Sequence, residues 1–143
     1  MTTRTAECAC GRVEVTVEGQ PLAVVACHCD FCQKRTGSVL AVGARFTSEQ
    51  VVSISGETKT YNGLEIDGVG ALGGVGIDYS FCPTCGSTVF CNFAVDDQSI
   101  TVVAVGNFVD PDFSAPTVEY FTATRHHWVP PVTGAEQIDP LTP

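Results

Sequence analysis

The sequence predicts an all-β chain of short antiparallel strands with little helix, and three observations carry that prediction. Val13, Val15 and Val17 alternate with Arg12, Glu14, Thr16 and Glu18, a period of two that gives a strand one dry and one wet face. Short runs rich in β-branched and aromatic residues recur along the chain, separated by Gly, Asn, Asp or Pro. No window of about a dozen residues carries a 3.6-residue apolar stripe.

In chain order, the Val13–Val17 strand is followed by expected strands at Leu22–Ala26, Val39–Phe46, Val51–Ile54 and Glu57–Tyr61, then at Thr88–Phe93, Ile100–Val105 and Val118–Phe121. Thr47-Ser-Glu-Gln supplies at most a single helical turn. Gly68-Val-Gly70-Ala-Leu-Gly73 matches the dinucleotide-binding string, which works only between a strand and a helix. Here it leads into Gly74-Val-Gly76 and the Phe81-Cys82 turn, so residues 62–76 read as a glycine-rich loop that could cover a site. Residues 1–130 form one expected domain. Residues 131–143, at the end of a proline-rich stretch poor in apolar residues, form an extended or frayed tail.

Composition bounds the function. Length 143, with 44% hydrophobic and 16% charged residues, fits one folded domain. The formal net charge is −9. Seven ligand thiolates and two divalent ions would take it to about −12, a surface that repels nucleic acid. The apolar runs fall far short of the roughly 20 residues that span a bilayer. The N-terminal residues offer no apolar signal segment, and the expectation is a cytoplasmic protein in a reducing compartment.

The eight cysteines carry the chemistry. Cys8-x-Cys10, Cys27-x-Cys29-x-x-Cys32 and Cys82-x-x-Cys85 have the close spacing of metal knuckles rather than of partners in distant disulfides. Gly86 follows Cys85 and tolerates the left-handed backbone a tight knuckle needs. Pairing Cys8 and Cys10 with Cys82 and Cys85 makes a closed four-thiolate zinc site that contributes to folding. Cys27, Cys29 and Cys32 leave a tetrahedral ion one ligand short. Cys91, His28, His126 or His127 could complete it, and the protein would then be a non-catalytic zinc-stabilised binding or scaffold module. If the position stays open, three thiolates make a soft, weakly Lewis-acidic zinc that prefers a sulfur ligand, which suits thiol addition to a small carbonyl. Lys34, Arg35 and Arg45 are the cations near this triplet.

These motifs resemble the glutathione-dependent formaldehyde-activating enzyme family, which also contains centromere protein V. The resemblance runs through Cys8-x-Cys10-Gly11-x-Val13, Cys27-His28-Cys29-x-x-Cys32 with Gly37-Ser38, Phe81-Cys82-Pro83-x-Cys85-Gly86-Ser87, and the late Arg125 and Trp128. It implies a tent-like all-β fold, a structural zinc on Cys8, Cys10, Cys82 and Cys85, and a catalytic zinc on Cys27, Cys29 and Cys32. The implied activity is carbon–sulfur lyase chemistry, with glutathione and formaldehyde as the namesake substrates, and it makes Lys34 and Arg35 the candidate contacts for the carboxylates of the thiol substrate.

Overall fold

The computed structural model describes residues 1–63 and 76–139. Most of the 62–76 loop, including the Gly68–Gly73 string, lies outside the described residues. The strands are β1 (Thr3–Glu7), β2 (Glu14–Glu18), β3 (Ala23–Cys27), β4 (Ala41–Thr47), β5 (Val51–Ser55), β6 (Lys59–Asn62), β7 (Asp78–Phe81), β8 (Thr88–Val95), β9 (Gln98–Ala104), β10 (Val118–Tyr120) and β11 (Glu136–Ile138). They form a three-stranded sheet, β1-β2-β5, and an eight-stranded sheet, β11-β10-β3-β4-β9-β8-β7-β6. The all-β expectation holds, and the strands are antiparallel except that β10 runs parallel to both β3 and β11.

The period of two decides which residues meet between the sheets. Val13, Val15 and Val17 with Ala6 bury one face of the small sheet. Val24, Ala44, Phe46, Val89 and Val103 bury the facing side of the large one, and all belong to one apolar cluster. The opposite face of the large sheet carries the residues that alternate with these along β3, β4 and β9. Arg45, Val102, Cys91 and Tyr79 form one row there, through the pairings Arg45↔Val102, Cys91↔Val102 and Tyr79↔Cys91. This second face is the floor of a cleft. Gly43 lies in it, and a Cβ at that position would come within 2.4 Å of Val102 Cγ1.

Two expectations need correction. Besides the 3₁₀ turn at Ser48–Gln50, a true helix, α1 (Asp30–Thr36), follows β3. Cys29 caps it by accepting the Cys32 N–H on its sulfur, Asp30 occupies the first turn, Lys34 and Arg35 the last, and Gly37 closes it in a left-handed conformation. Residues 136–138 are also not a frayed tail: β11 runs parallel to β10, pairing Glu119 with Gln137. Among the described residues no helix is long and apolar enough to cross a membrane.

Candidate metal centres

Cys8 and Cys10 lie in the turn between β1 and β2, Cys82 and Cys85 in the turn between β7 and β8. The fold brings these hairpin ends together, so that all four sulfurs lie within 4.8 Å of one another. Cys8 Sγ is 3.6 Å from Cys10 Sγ, and Cys10 Sγ is 3.7 Å from Cys82 Sγ. A tetrahedral ion with metal–sulfur bonds of about 2.3 Å has sulfur–sulfur edges of about 3.8 Å, so the cluster fits such an ion without rearrangement. Backbone and side-chain donors orient the sulfurs. The Val13 N–H donates to Cys8 Sγ at 3.2 Å, and the Ser87 hydroxyl lies 3.1 Å from Cys85 Sγ. That hydroxyl contact comes first among the interactions holding the Cys85 thiol down to about 5. Gly86, at φ 74°, donates its N–H to the Cys82 carbonyl and closes the knuckle.

Cys27, Cys29 and Cys32 form the second group, their sulfurs again within 4.8 Å of one another. Cys27 ends β3, while Cys29 and Cys32 cap and begin α1. Among the described residues no fourth Cys, His, Asp or Glu joins them. Hydrogen bonding from Cys27, then from Cys32, holds the Cys29 thiol down to about 2. Cys27 is raised in return, first by its hydrogen bond to Cys29. Cys32 is pulled down by Cys27, but Cys29 and burial outweigh that pull and leave it raised. Three sulfurs this close carry one thiolate at a time unless a cation neutralises them. A divalent ion fits that donor set, and both groups could hold one.

The remaining candidates separate clearly. His28 is fully buried and turned away from its cysteine neighbours, with Nε2 2.8 Å from Glu119 Oε1. His126 Nε2 lies 2.9 Å from Gln33 Oε1. Cys91 joins neither thiol group; burial pushes its thiol up to about 12. Arg35 lies over the Tyr79 ring at 4.7 Å and reaches to within 3.9 Å of Cys32 Sγ. Lys34 is exposed on the same helix and does not line the cleft.

The cleft holds about 830 Å³, and Cys27, Cys29 and Cys32 all line it. None of Cys8, Cys10, Cys82 and Cys85 does. Arg35 and Arg45 are its cations and Asp30 the acid in its lining. Neither arginine forms an ion pair with a carboxylate among the described residues. Arg45 instead lies over the Phe93 ring at 5.8 Å.

Glu119 is the residue that sequence reasoning missed. It is 1% exposed, and its Oε2 accepts from the Val132 N–H at 2.8 Å and from Gln137 Nε2 at 2.6 Å, while Arg125 Nη2 lies 3.4 Å away. Burial opposes its charge, but the donors from Gln137, His28 and Val132, with Arg125, hold its carboxyl down to about 2. The signal was an acid at the inward position of Val118-Glu119-Tyr120, where a strand facing a core normally carries an apolar side chain.

Compared with known families, residues 3–124 match the family model described as glutathione-dependent formaldehyde-activating enzyme. No curated protein matches the chain. Among solved structures it is similar to the crystal structure of a Rhodobacter sphaeroides protein, at TM-score 0.54 and 24% identity over 75% of this chain and 91% of that one. At that identity the likeness concerns the fold alone.

Proposed function

The chain belongs to the glutathione-dependent formaldehyde-activating enzyme family, and from that membership we propose that it is a zinc-dependent carbon–sulfur lyase. It joins a glutathione-like thiol to formaldehyde or a similar small electrophile, or cleaves the adduct. The observation that carries this reading is the difference between the two thiol groups: the three-thiol group lines a cleft and has no fourth protein ligand among the described residues, whereas the four-thiol group is complete and lies outside it.

Cys8, Cys10, Cys82 and Cys85 would hold a structural zinc, and Cys27, Cys29 and Cys32 the reactive one. Zinc at the triplet supplies a position that favours sulfur and makes a bound thiol easier to deprotonate. Arg35 and Arg45 present guanidinium groups to the carboxylates of the thiol substrate. Arg35 is held over Tyr79 by stacking, so little side-chain freedom is lost when an anion binds. The apolar floor and walls give the reacting carbon a low-polarity setting. In the forward direction a carbon–sulfur bond forms, the carbonyl π bond breaks, and the thiol proton passes to the carbonyl oxygen. The reverse direction regenerates thiol and aldehyde. All eight cysteines are free thiols, which suits a reducing compartment such as the cytoplasm.

Metal analysis under reducing conditions, followed by X-ray absorption during a glutathione titration, tests the reading. About two zinc ions per chain are expected, with Cys29→Ser retaining about one. A new sulfur scatterer should appear on adding thiol to the wild type. Two zincs that ignore the thiol, with a fourth protein ligand already in each shell, would identify a purely structural module instead.

A further inference from the structure

We propose that the adduct handled in this cleft carries a large apolar, aromatic-sized group on its carbon side, rather than the single carbon of formaldehyde, and that Phe121 is the residue that selects it. The inference rests on the thiol reading above, because it places the adduct's sulfur at Cys27, Cys29 and Cys32.

Three observations converge. The first is that the cleft sets two cations in a lining that is otherwise mainly apolar. Arg35 and Arg45, without carboxylate partners among the described residues, suit the anionic thiol half. The rest of the lining is mainly apolar, with Val102, Phe93, Tyr120 and Phe121 among its walls. A one-carbon electrophile would leave that surface facing water, whereas a hydrophobic substituent would cover it.

The second observation is the shape of the floor. Gly43 pairs with Ala104 across β4 and β9, and with Val25 across β3 and β4. Gly43 is not a neutral choice, since a Cβ there would meet Val102 Cγ1 at 2.4 Å. The room left at Gly43 is taken by the Val102 side chain, which gives the middle of the floor an apolar surface.

The third is Phe121 itself. It has φ 57° and ψ 49°, a left-handed conformation that glycine or asparagine adopts at little cost and a bulky aromatic residue rarely does. Its ring is only half buried, so filling the core does not explain it. The position is fixed beside the triplet: the Thr124 hydroxyl lies 3.0 Å from the Phe121 carbonyl oxygen and 2.7 Å from that of His28. Strained residues of this kind persist where the surrounding structure over-determines them, characteristically at ligand clamps. Here the strain holds an aromatic ring on the cleft wall next to the thiols.

The test uses the zinc-loaded full chain and two unreactive thioethers, S-methylglutathione and S-benzylglutathione, whose binding is measured by calorimetry without turnover. S-benzylglutathione is expected to bind about tenfold or more tighter, from burial of its ring. Phe121→Asn keeps the left-handed backbone and removes the ring, and should reduce the preference to about twofold or less. Ala104→Phe, which fills the floor from another strand, should also remove it, so the test survives if one variant fails to fold. Equal affinities for the two thioethers in the wild type would overturn the proposal, as would a full preference in folded Phe121→Asn. Turnover is measured separately. Intact aryl preference with no turnover of any aldehyde sinks the lyase reading alone; turnover with equal thioether affinities sinks this one alone.

Discussion

Glu119 is a buried carboxylate served by donors from four segments: His28, Arg125, Val132 and Gln137. Replacing it with Leu leaves those donors without an acceptor, and we expect a loss of about 3–5 kcal/mol in urea unfolding, the usual cost of breaking a buried ionic group. Its acid response has a definite sign. The carboxyl is held down to about 2 in the folded state, so its contribution is complete above the ordinary carboxylate range and is lost as pH falls from about 4.5 towards 2. Unfolding midpoints measured between pH 6 and pH 2 should fall more steeply for the wild type than for Glu119→Gln; parallel slopes would contradict the assignment. At this scale the sequence was legible where spacing encodes chemistry and opaque where it does not. The seven clustered cysteines declared themselves because metal knuckles require close ligands. Glu119 lies 91 residues from His28, and no local pattern links them.

Elements differ in how they depend on metal. A metal ion on Cys8, Cys10, Cys82 and Cys85 would join the turns after β1 and β7 and tie the small sheet to the large one. A structural zinc site is worth about 10–16 kcal/mol, comparable to or larger than a typical net stability of about 5–15 kcal/mol. Cys82→Ser is therefore expected to abolish the cooperative unfolding transition. Cys29→Ser should leave a folded chain with α1 intact, because Phe31 packs edge-on against Tyr79 with ring centres 5.4 Å apart and does not depend on the thiols. Circular dichroism melts distinguish the two, and equal collapse would remove the distinction between structural and reactive sites. The strands were readable from alternation and turn residues, with ends shifted by a residue or two. Helix α1 was not, because seven residues make two turns, too few to display a helical period. β1 was missed because Ala6 is its one buried residue, β7 because Asp78–Phe81 read as the approach to the Cys82 turn, and β11 because pairing with β10, not hydrophobic alternation, makes it a strand.

Across the whole molecule the sheets divide the labour: one face of the large sheet makes the core, the other the floor of the cleft. The charge distribution follows the same division. Of the seven basic residues, Arg35 and Arg45 line the cleft and Arg125 joins the Glu119 network; setting aside Glu119 and the cleft's Asp30 with them leaves four bases against fourteen acids. Filter binding to duplex DNA at roughly 50 mM salt should show no retention, since phosphate contacts dominate such affinity. The cleft itself was not legible, because its lining comes from strands that are neighbours in the sheet and distant in the chain, as Tyr120 and Cys27 are. That same separation imposes an order on biosynthesis. Cys27, Cys29 and Cys32 emerge from the ribosome almost together, whereas Cys8 and Cys10 wait for Cys85, some four to fifteen seconds at about 5–20 residues per second. The three-thiol group can thus come together on a nascent chain whose first hairpin is still untethered, and a metal ion on the four-thiol group would be the last to gain its full ligand set.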